Sequence, residues 1–96
     1  MTNLAGKYIV NEQPIFDEIL KRANERYRIT SDSFELKQNG VNVYVEYQFF
    51  IRDKRFVRGN IEVFTYKNNI EVENNFDLTT VMMNEFLDKL TKQHFK

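Results

Sequence analysis

Every second residue is apolar along residues 41–51, which read Val-Asn-Val-Tyr-Val-Glu-Tyr-Gln-Phe-Phe-Ile. A period of two sorts side chains onto the two faces of a strand, whereas a helix would scatter the same residues around its axis. We therefore predict a strand over 41–51 with one buried face. The residues assigned to that face are Val41, Val43, Val45, Tyr47, Phe49 and Ile51.

Two turn sequences agree with this assignment. Asn39-Gly40 is the preferred pair for a two-residue β-hairpin loop, because both central residues take a positive φ. Such a loop pairs Phe34 with Val45 and therefore puts Phe34 on the buried face. Asn68-Asn69 offers the same chemistry, since Asn tolerates the left-handed region, and it leads into a strand over 70–74. A slip of one residue in either hairpin would turn its apolar side chains outward.

The middle hairpin is joined through Arg52-Asp53-Lys54-Arg55. One register sets Phe50 opposite Phe56 on the outer face, and the alternative sets Glu46 opposite Glu62. Like charges directly opposite each other are unfavourable by a fraction of ~1 kcal/mol, so we predict the first register. The predicted strands are 33–38, 41–51, 56–66 and 70–74, with Val57, Ile61 and Val63 on the buried face of the third.

Two segments have apolar residues spaced by three and four, which is the period of a helix packed on a core. The first is Asn11–Arg28, and the second extends from about Leu78 to Gln93 with Asp77 as N-cap. Tyr8-Ile9-Val10 adds a short edge strand before the first helix. The apolar stripes are Ile15, Phe16, Ile19, Leu20, Ala23 and Tyr27 in the first helix, and Met82, Met83, Phe86, Leu87 and Leu90 in the second.

These elements predict an α+β fold in the order (β)-α-β-β-β-β-α. The sheet is a four-stranded antiparallel meander with one apolar face, and each helix has one apolar stripe. We therefore expect the N-terminal and the C-terminal helix to pack on the same face of the sheet. A chain of this length buries one core, which predicts a single domain over residues 1–96.

The charge balance and the absence of cysteine narrow the classes of function. Fourteen basic residues balance 14 acidic ones, so the chain has no long-range attraction for nucleic acid or anionic lipid. Without cysteine, disulfides, thiolate catalysis and Cys-based zinc sites are excluded. No run approaches the ~18 apolar residues of a membrane span, and we expect a cytoplasmic protein. The abundance of Asn, Lys, Ile, Phe and Tyr is typical of an AT-rich source such as a low-GC bacterium or its phages.

The outer face of the predicted sheet, opposite the helices, is rich in aromatic residues. Tyr44, Phe50, Phe56, Phe64 and Tyr66 all fall on it. Cross-strand aromatic pairing alone would stabilise the sheet. The alternatives are a protein contact, where Tyr, Phe and Arg are enriched, and base stacking on single-stranded nucleic acid. Glutamates interleave the rings and would repel phosphates, so we rank base stacking last.

The middle hairpin also carries a basic tip. Its residues are Arg52, Lys54, Arg55 and Arg58. The tip has the chemistry to grip phosphates or an acidic protein surface, but short charge runs are more often solvated turns. Arg22, Arg26 and Arg28 would extend the patch if they point the same way, which the sequence leaves open.

Catalytic chemistry has little support. His94 is the only histidine, and with no cysteine it does not make an ordinary zinc site. No nucleophile arrangement surrounds it. It falls on the same face as the apolar stripe of the last helix, near the frayed end, and we expect a surface residue or a partner of the helix dipole. The paired carboxylates Asp17/Glu18 and Glu71/Glu73 fall on exposed faces, where burial does not raise a pKa for general acid catalysis. We expect no enzyme, no cofactor and no metal.

The order of elements resembles that of double-stranded-RNA-binding domains and of the cystatin-like layout, but the functional motifs differ. Asp77-Leu78-Thr79-Thr80 stands where the former carry a Lys-Lys cluster, and the Gln-x-Val-x-Gly loop of cystatins is absent. Neither resemblance therefore implies a function.

We interpret the chain as a small non-enzymatic module that binds another protein or a second copy of itself. It would act as a regulator or inhibitor. One candidate origin is a phage or a mobile element, with a host defence or regulatory protein as the target. The alternative is a nucleic-acid binder that uses the basic tip and the same rings. The candidate contact residues are Tyr44, Phe50, Phe56, Arg58, Phe64 and Tyr66, with Arg52, Lys54 and Arg55 adding charge.

Overall fold

The computed structural model describes residues 7–95 and confirms the predicted α+β order. The four strands form one antiparallel sheet in the order β1-β2-β3-β4. The predicted domain range also includes residues 1–6 and 96, which lie outside the described residues. The elements are α1 (Glu12–Arg22), β1 (Ile29–Gln38), β2 (Val41–Arg52), β3 (Arg55–Lys67), β4 (Ile70–Val72) and α2 (Thr80–His94).

Both Asn-containing hairpins have the predicted registers. Phe34 pairs with Val45 across the first hairpin, and Asn39 and Gly40 have φ values of 51° and 78°. In the last hairpin Thr65 pairs with Val72, and the two turn residues, Asn68-Asn69, have φ values of 52° and 66°. Positive φ at both central residues matches the twist of the strands that the turn connects.

The predicted register of the middle hairpin is wrong. Its loop contains only two residues, Asp53 and Lys54, with φ values of 52° and 59°. This loop pairs Ile51 with Phe56, but the next pair is Phe50 with Arg58, so Val57 is an extra residue on β3. Such a bulge leaves one residue unpaired and bends the strand.

The bulge exchanges the expected positions of two side chains. Phe56, which we expected on the outer face, is 4% exposed and lies in the core, whereas Val57, which we expected in the core, is 47% exposed. The pairs next to the two-residue loop follow one register, and the pairs from Phe50 with Arg58 onward follow a register shifted by one residue. The bulge at Val57 makes the two registers compatible. The body is fixed by Phe49, whose ring lies so close to Gly59 that an added Cβ would meet it at 2.1 Å.

Glu46 pairs with Glu62 in the observed register, against our expectation. Both side chains are exposed, so water screens the repulsion to a small cost. The fit of the inner face, including Phe49 over Gly59, therefore outweighs it.

Helix α1 is shorter than predicted, and strand β1 is longer. The helix ends at Arg22, and Ala23 already has extended geometry with φ −62° and ψ 144°. Tyr27, expected in the apolar stripe, is 68% exposed. Strand β1 begins at Ile29 because the long strand β2 offers a pairing partner as far as Phe50. Residues 23–28, which we expected to complete the helix, therefore form a link between α1 and the edge strand β1.

Helix α2 begins two residues later than predicted for an Asp77 N-cap. Thr79 is the N-cap instead, and its hydroxyl accepts a hydrogen bond of 3.1 Å from the Met82 backbone N–H.

Of the predicted N-terminal strand, a single parallel bridge between Tyr8 and Asn74 is present.

Both helices cover one face of the sheet, which we call the inner face. Phe86 of α2 contacts Phe16 of α1 with ring centroids 5.0 Å apart, and it contacts Phe49 of β2 at 5.8 Å. These contacts join both helices and the sheet in one core. Its fully buried members are Phe49, Ile15, Ile19, Leu90, Val43, Val45 and Thr65.

Candidate protein-interaction surface

The outer face of the sheet carries a cluster of three half-buried aromatic residues at the end nearest the two Asn-containing turns. Tyr44 pairs directly with Phe64, and their ring centroids lie 6.3 Å apart at an angle of 39°. Tyr66 lies on the next outward pair of β3 and lines a shallow depression together with Tyr44. We call Tyr44, Phe64 and Tyr66 the ring patch. Its alternating strand positions keep all three side chains away from the helices.

The other expected contact residues lie at the opposite end of this face. Phe50 pairs with Arg58, whose guanidinium carbon is 4.3 Å from the centroid of the Phe50 ring. Phe50 lies six positions after Tyr44 on strand β2, which is roughly 20 Å at about 3.3 Å per residue. The intervening outward pairs are Glu46 with Glu62 and Gln48 with Asn60. The structure therefore divides the predicted set into two patches and removes Phe56 from both.

The structure brings Arg26 and Arg28 to the basic tip, a placement that the sequence left open. The Ile51 backbone N–H donates to the Arg28 carbonyl at 2.6 Å, which fixes the link before β1 against the end of β2. Two adjoining grooves, of about 550 and 530 Å³, share Arg28, Ile51 and Arg52 in their linings. We call this pair the basic groove. Its remaining lining residues are Glu25, Arg26, Tyr27, Ile29, Phe50, Asp53, Val57 and Arg58.

Within residues 7–95, three of the four arginines of the basic groove have no acidic partner. Among the residues that the structure describes, Arg26, Arg28 and Arg58 make no ion pair. Arg52 meets only Asp53, at 4.0 Å between two exposed side chains. Such a pair contributes little in water.

Three of the basic residues discussed above lie outside the groove. Lys54 and Arg55 are exposed at the hairpin turn and do not line it. Arg22 belongs to another cluster, where it binds Glu18 at 2.7 Å and Asp32 at 3.0 Å. Sequence reasoning missed Tyr27 as a groove residue because it placed that ring in the apolar stripe of α1.

Shifted pKa values occur away from both patches. The Arg22 guanidinium, hydrogen bonded to Glu18, holds the pKa of Glu18 below its usual value, and the same bond raises the pKa of Arg22. Burial on the inner face, with the charge of Asp32 nearby, raises the pKa of Tyr47 to about 12. An ion-pair cluster and core burial explain these shifts, so they do not indicate a catalytic site.

His94 lies on the core-facing side of α2, as its spacing predicts, and is not a surface residue. Its side chain is 13% exposed, and its Nδ1 lies 2.7 Å from a carboxylate oxygen of Glu25. Its ring centroid is 5.6 Å from that of Phe56. His94 therefore packs on the core residue Phe56 and contacts Glu25, which lines the basic groove.

The cleft between the two helices is smaller than a typical ligand pocket. The cleft between α1 and α2, lined in part by Phe16 and Phe86, holds about 160 Å³, less than the roughly 300 Å³ of a typical ligand pocket. Within residues 7–95, no group of three or more His, Cys, Asp or Glu side chains is placed to hold a metal ion. In the same range no helix has the length and apolarity to cross a bilayer.

No protein-family model, curated protein or solved structure matches this chain. Its function is therefore argued from the two surface patches alone.

Proposed function

We propose that this protein is a small non-enzymatic interaction module that binds another protein through the outer face of its sheet. The observation that carries the proposal is the ring patch. Tyr44, Phe64 and Tyr66 lie together on the face that both helices leave uncovered. Tyr and Phe supply large contact areas at a low cost in side-chain entropy and are enriched in protein interfaces.

The composition of the outer face also supports a protein partner. Glutamates separate the rings, as the pair Glu46 and Glu62 illustrates. A mixed surface of rings and charges is typical of interfaces between proteins that also exist apart, which are about as polar as the rest of a protein surface. We therefore propose that the protein is a regulator or inhibitor that acts in the cytoplasm. We propose a phage or a mobile element as its source and a host defence or regulatory protein as its target. A second copy of the chain is one partner that the experiment below detects.

A nucleic-acid binder is the second candidate. One observation favours it, because Arg26 and Arg28 enlarge the basic tip by two cations that have no acidic partner in the described part of the chain. Binding to phosphates weakens steeply between low and moderate salt, since counterions are released. A retardation assay with single- and double-stranded oligonucleotides tests this candidate, and the absence of any shift at low salt eliminates it.

The main proposal is tested with Phe64→Ala and Tyr66→Ala. Both side chains are half-buried on an uncovered face, so we expect each variant to fold. We expect each to lower the affinity for a partner, or for a second copy, about tenfold or more, as truncation of an aromatic contact residue does. Sedimentation measures self-association, and affinity capture from the native host, followed by titration of the purified partner, measures binding.

Val81→Ala is the matched control. Val81 is an apolar residue on α2 that is 66% exposed and lies outside the ring patch. A partner that is retained equally by the wild type, the control and both ring-patch variants, with unchanged sedimentation, would contradict the proposal.

A further inference from the structure

The basic groove combines guanidinium groups with exposed apolar side chains. Arg26, Arg28, Arg52 and Arg58 come from the link before β1, the end of β2 and the start of β3. Between them lie Tyr27, Ile29 and Val57, which are 68%, 44% and 47% exposed. An isolated exposed apolar residue needs no explanation, but three beside four arginines define a surface of particular chemistry.

One arginine of the groove is held by a ring. The Arg58 guanidinium carbon lies over the Phe50 ring, 4.3 Å from its centroid, and the negative face of an aromatic ring attracts a cation. Planar guanidinium groups bind carboxylates and phosphates with two parallel hydrogen bonds. Because Arg26, Arg28 and Arg58 have no acidic partner within residues 7–95, an incoming anion would not have to displace one.

The surroundings favour carboxylates on a protein segment over a phosphate backbone. A single-stranded nucleic acid needs free aromatic faces for base stacking and a continuous basic track. Of the two rings in the groove, Tyr27 is largely exposed, but Arg58 covers a face of Phe50. The basic surface also stops short along the sheet, because the second outward pair beyond Phe50 is Glu46 with Glu62. Ile29 and Val57 are exposed and offer contacts for the apolar side chains of a protein segment. A sugar-phosphate backbone has no such side chains.

We propose that the basic groove binds an acidic segment of a partner protein in which carboxylates alternate with apolar side chains. The carboxylates would pair with the groove arginines while the apolar residues pack on Tyr27, Ile29 and Val57. This inference rests on the proposed function in one respect, because it takes the partner to be a protein. It uses a different patch, roughly 20 Å from the ring patch along the sheet.

The test measures fluorescence anisotropy of labelled synthetic peptides with the full-length protein. The probe is a peptide of about eight residues, which spans roughly 26 Å when extended, with Asp or Glu alternating with Leu or Phe. A second peptide replaces each acid by its amide. A single-stranded oligonucleotide with the same number of charges is the third probe. We expect the acidic peptide to bind most tightly and its affinity to fall with added salt, because the contacts are partly exposed ion pairs.

The variant Arg28→Glu/Arg58→Glu tests the site itself. We expect it to lower the affinity for the acidic peptide at least tenfold while circular dichroism shows the fold intact. Lys37→Glu/Lys67→Glu is the matched control, because both lysines are exposed at the opposite end of the sheet and the change in net charge is the same. The control should retain the peptide affinity within a factor of about two, since its charges lie beyond the screening length of roughly 10 Å. A peptide with Lys in place of the acids should bind Arg28→Glu/Arg58→Glu more tightly than the wild type.

Four results would overturn this inference: no binding of the acidic peptide, equal binding of the acidic and amide peptides, tighter binding of the oligonucleotide, or an equal loss in both double variants. The proposed function fails separately, through retention of the partner by Phe64→Ala and Tyr66→Ala. The two proposals are therefore distinguished by which pair of variants loses binding.

Discussion

The two faces of the sheet both carry aromatic rings, but they use them differently. Phe49 and Phe50 are adjacent in sequence and point to opposite faces. Phe49 is fully buried against Phe86 and above Gly59, whereas Phe50 is half-buried and has the Arg58 guanidinium over its face. The inner ring packs against other core side chains, and the outer ring contacts a charged one. A ring therefore indicates a core position or a contact surface only after its neighbours are known.

The faces also differ in how strictly they determine the register. The inner face fits one register, because Phe49 requires a residue without a side chain opposite it. The outer face tolerates Glu46 opposite Glu62, since water screens exposed charges. Packing on the inner face is consequently the stronger constraint, and the predictions below test that difference.

The largest expected difference in stability is between Phe→Ala on the inner face and Phe→Ala on the outer face. Phe49→Ala should lower the free energy of unfolding by about 3–5 kcal/mol, because it removes a fully buried ring and leaves a cavity. Phe64→Ala should lower it by less than about 1 kcal/mol, the range of a cross-strand pair. Urea denaturation of both variants measures the difference, and equal losses would show that the outer face contributes to the core.

A smaller effect is expected from Gly59→Ala. The new Cβ would meet the Phe49 ring at 2.1 Å, so the ring must move within a packed core. We expect a loss of about 1–3 kcal/mol in the free energy of unfolding, as for other overpacked cores. Asn60→Ala, one residue along on the outer face, is the control.

A double-mutant cycle identifies the cause of that loss. In a Phe49→Leu background the Gly59→Ala change should cost less, since the clashing ring is gone. Additive losses would attribute the cost to the strand backbone and not to the ring.

The last expected effect is confined to alkaline pH and concerns Tyr47. Its pKa is raised from 10.0 to about 12, mainly by burial, so the folded state favours the protonated phenol. The stability from this preference is fully present below about pH 10 and is lost as the pH rises towards about 12. Thermal melting across that range should show a steeper loss in the wild type than in Tyr47→Phe. Tyr44→Phe makes the same chemical change on the outer face as a control, and identical profiles for the wild type and Tyr47→Phe would contradict the assignment.

Local patterns predicted most of the fold. Alternation along β2 and the turn pairs Asn39-Gly40 and Asn68-Asn69 specify strands, faces and two registers, because each depends on neighbours in sequence. The register of the middle hairpin was not predictable in this way. Asp53 and Lys54 are not a preferred turn pair, and their two-residue loop makes sense only together with the bulge at Val57.

The candidate surfaces were only partly predictable. The ring patch follows from strand alternation, since Tyr44, Phe64 and Tyr66 lie on regular paired segments. The basic groove depends on a contact between distant parts of the chain, in which the Arg28 carbonyl accepts from Ile51. Helical periodicity suggested that this segment belonged to α1, and the pairing of β1 with the long strand β2 overrode that preference.

The extra residue at Val57 gives the middle hairpin a joint between two parts that follow different registers. Residues 52–55 lie beyond the joint and are exposed, so a change of sequence there leaves the side chains of the core in place. The segment 52–55 is thus a natural site for grafting a foreign loop. A library built there would vary the chemistry of one end of the molecule while the scaffold beneath it stays constant.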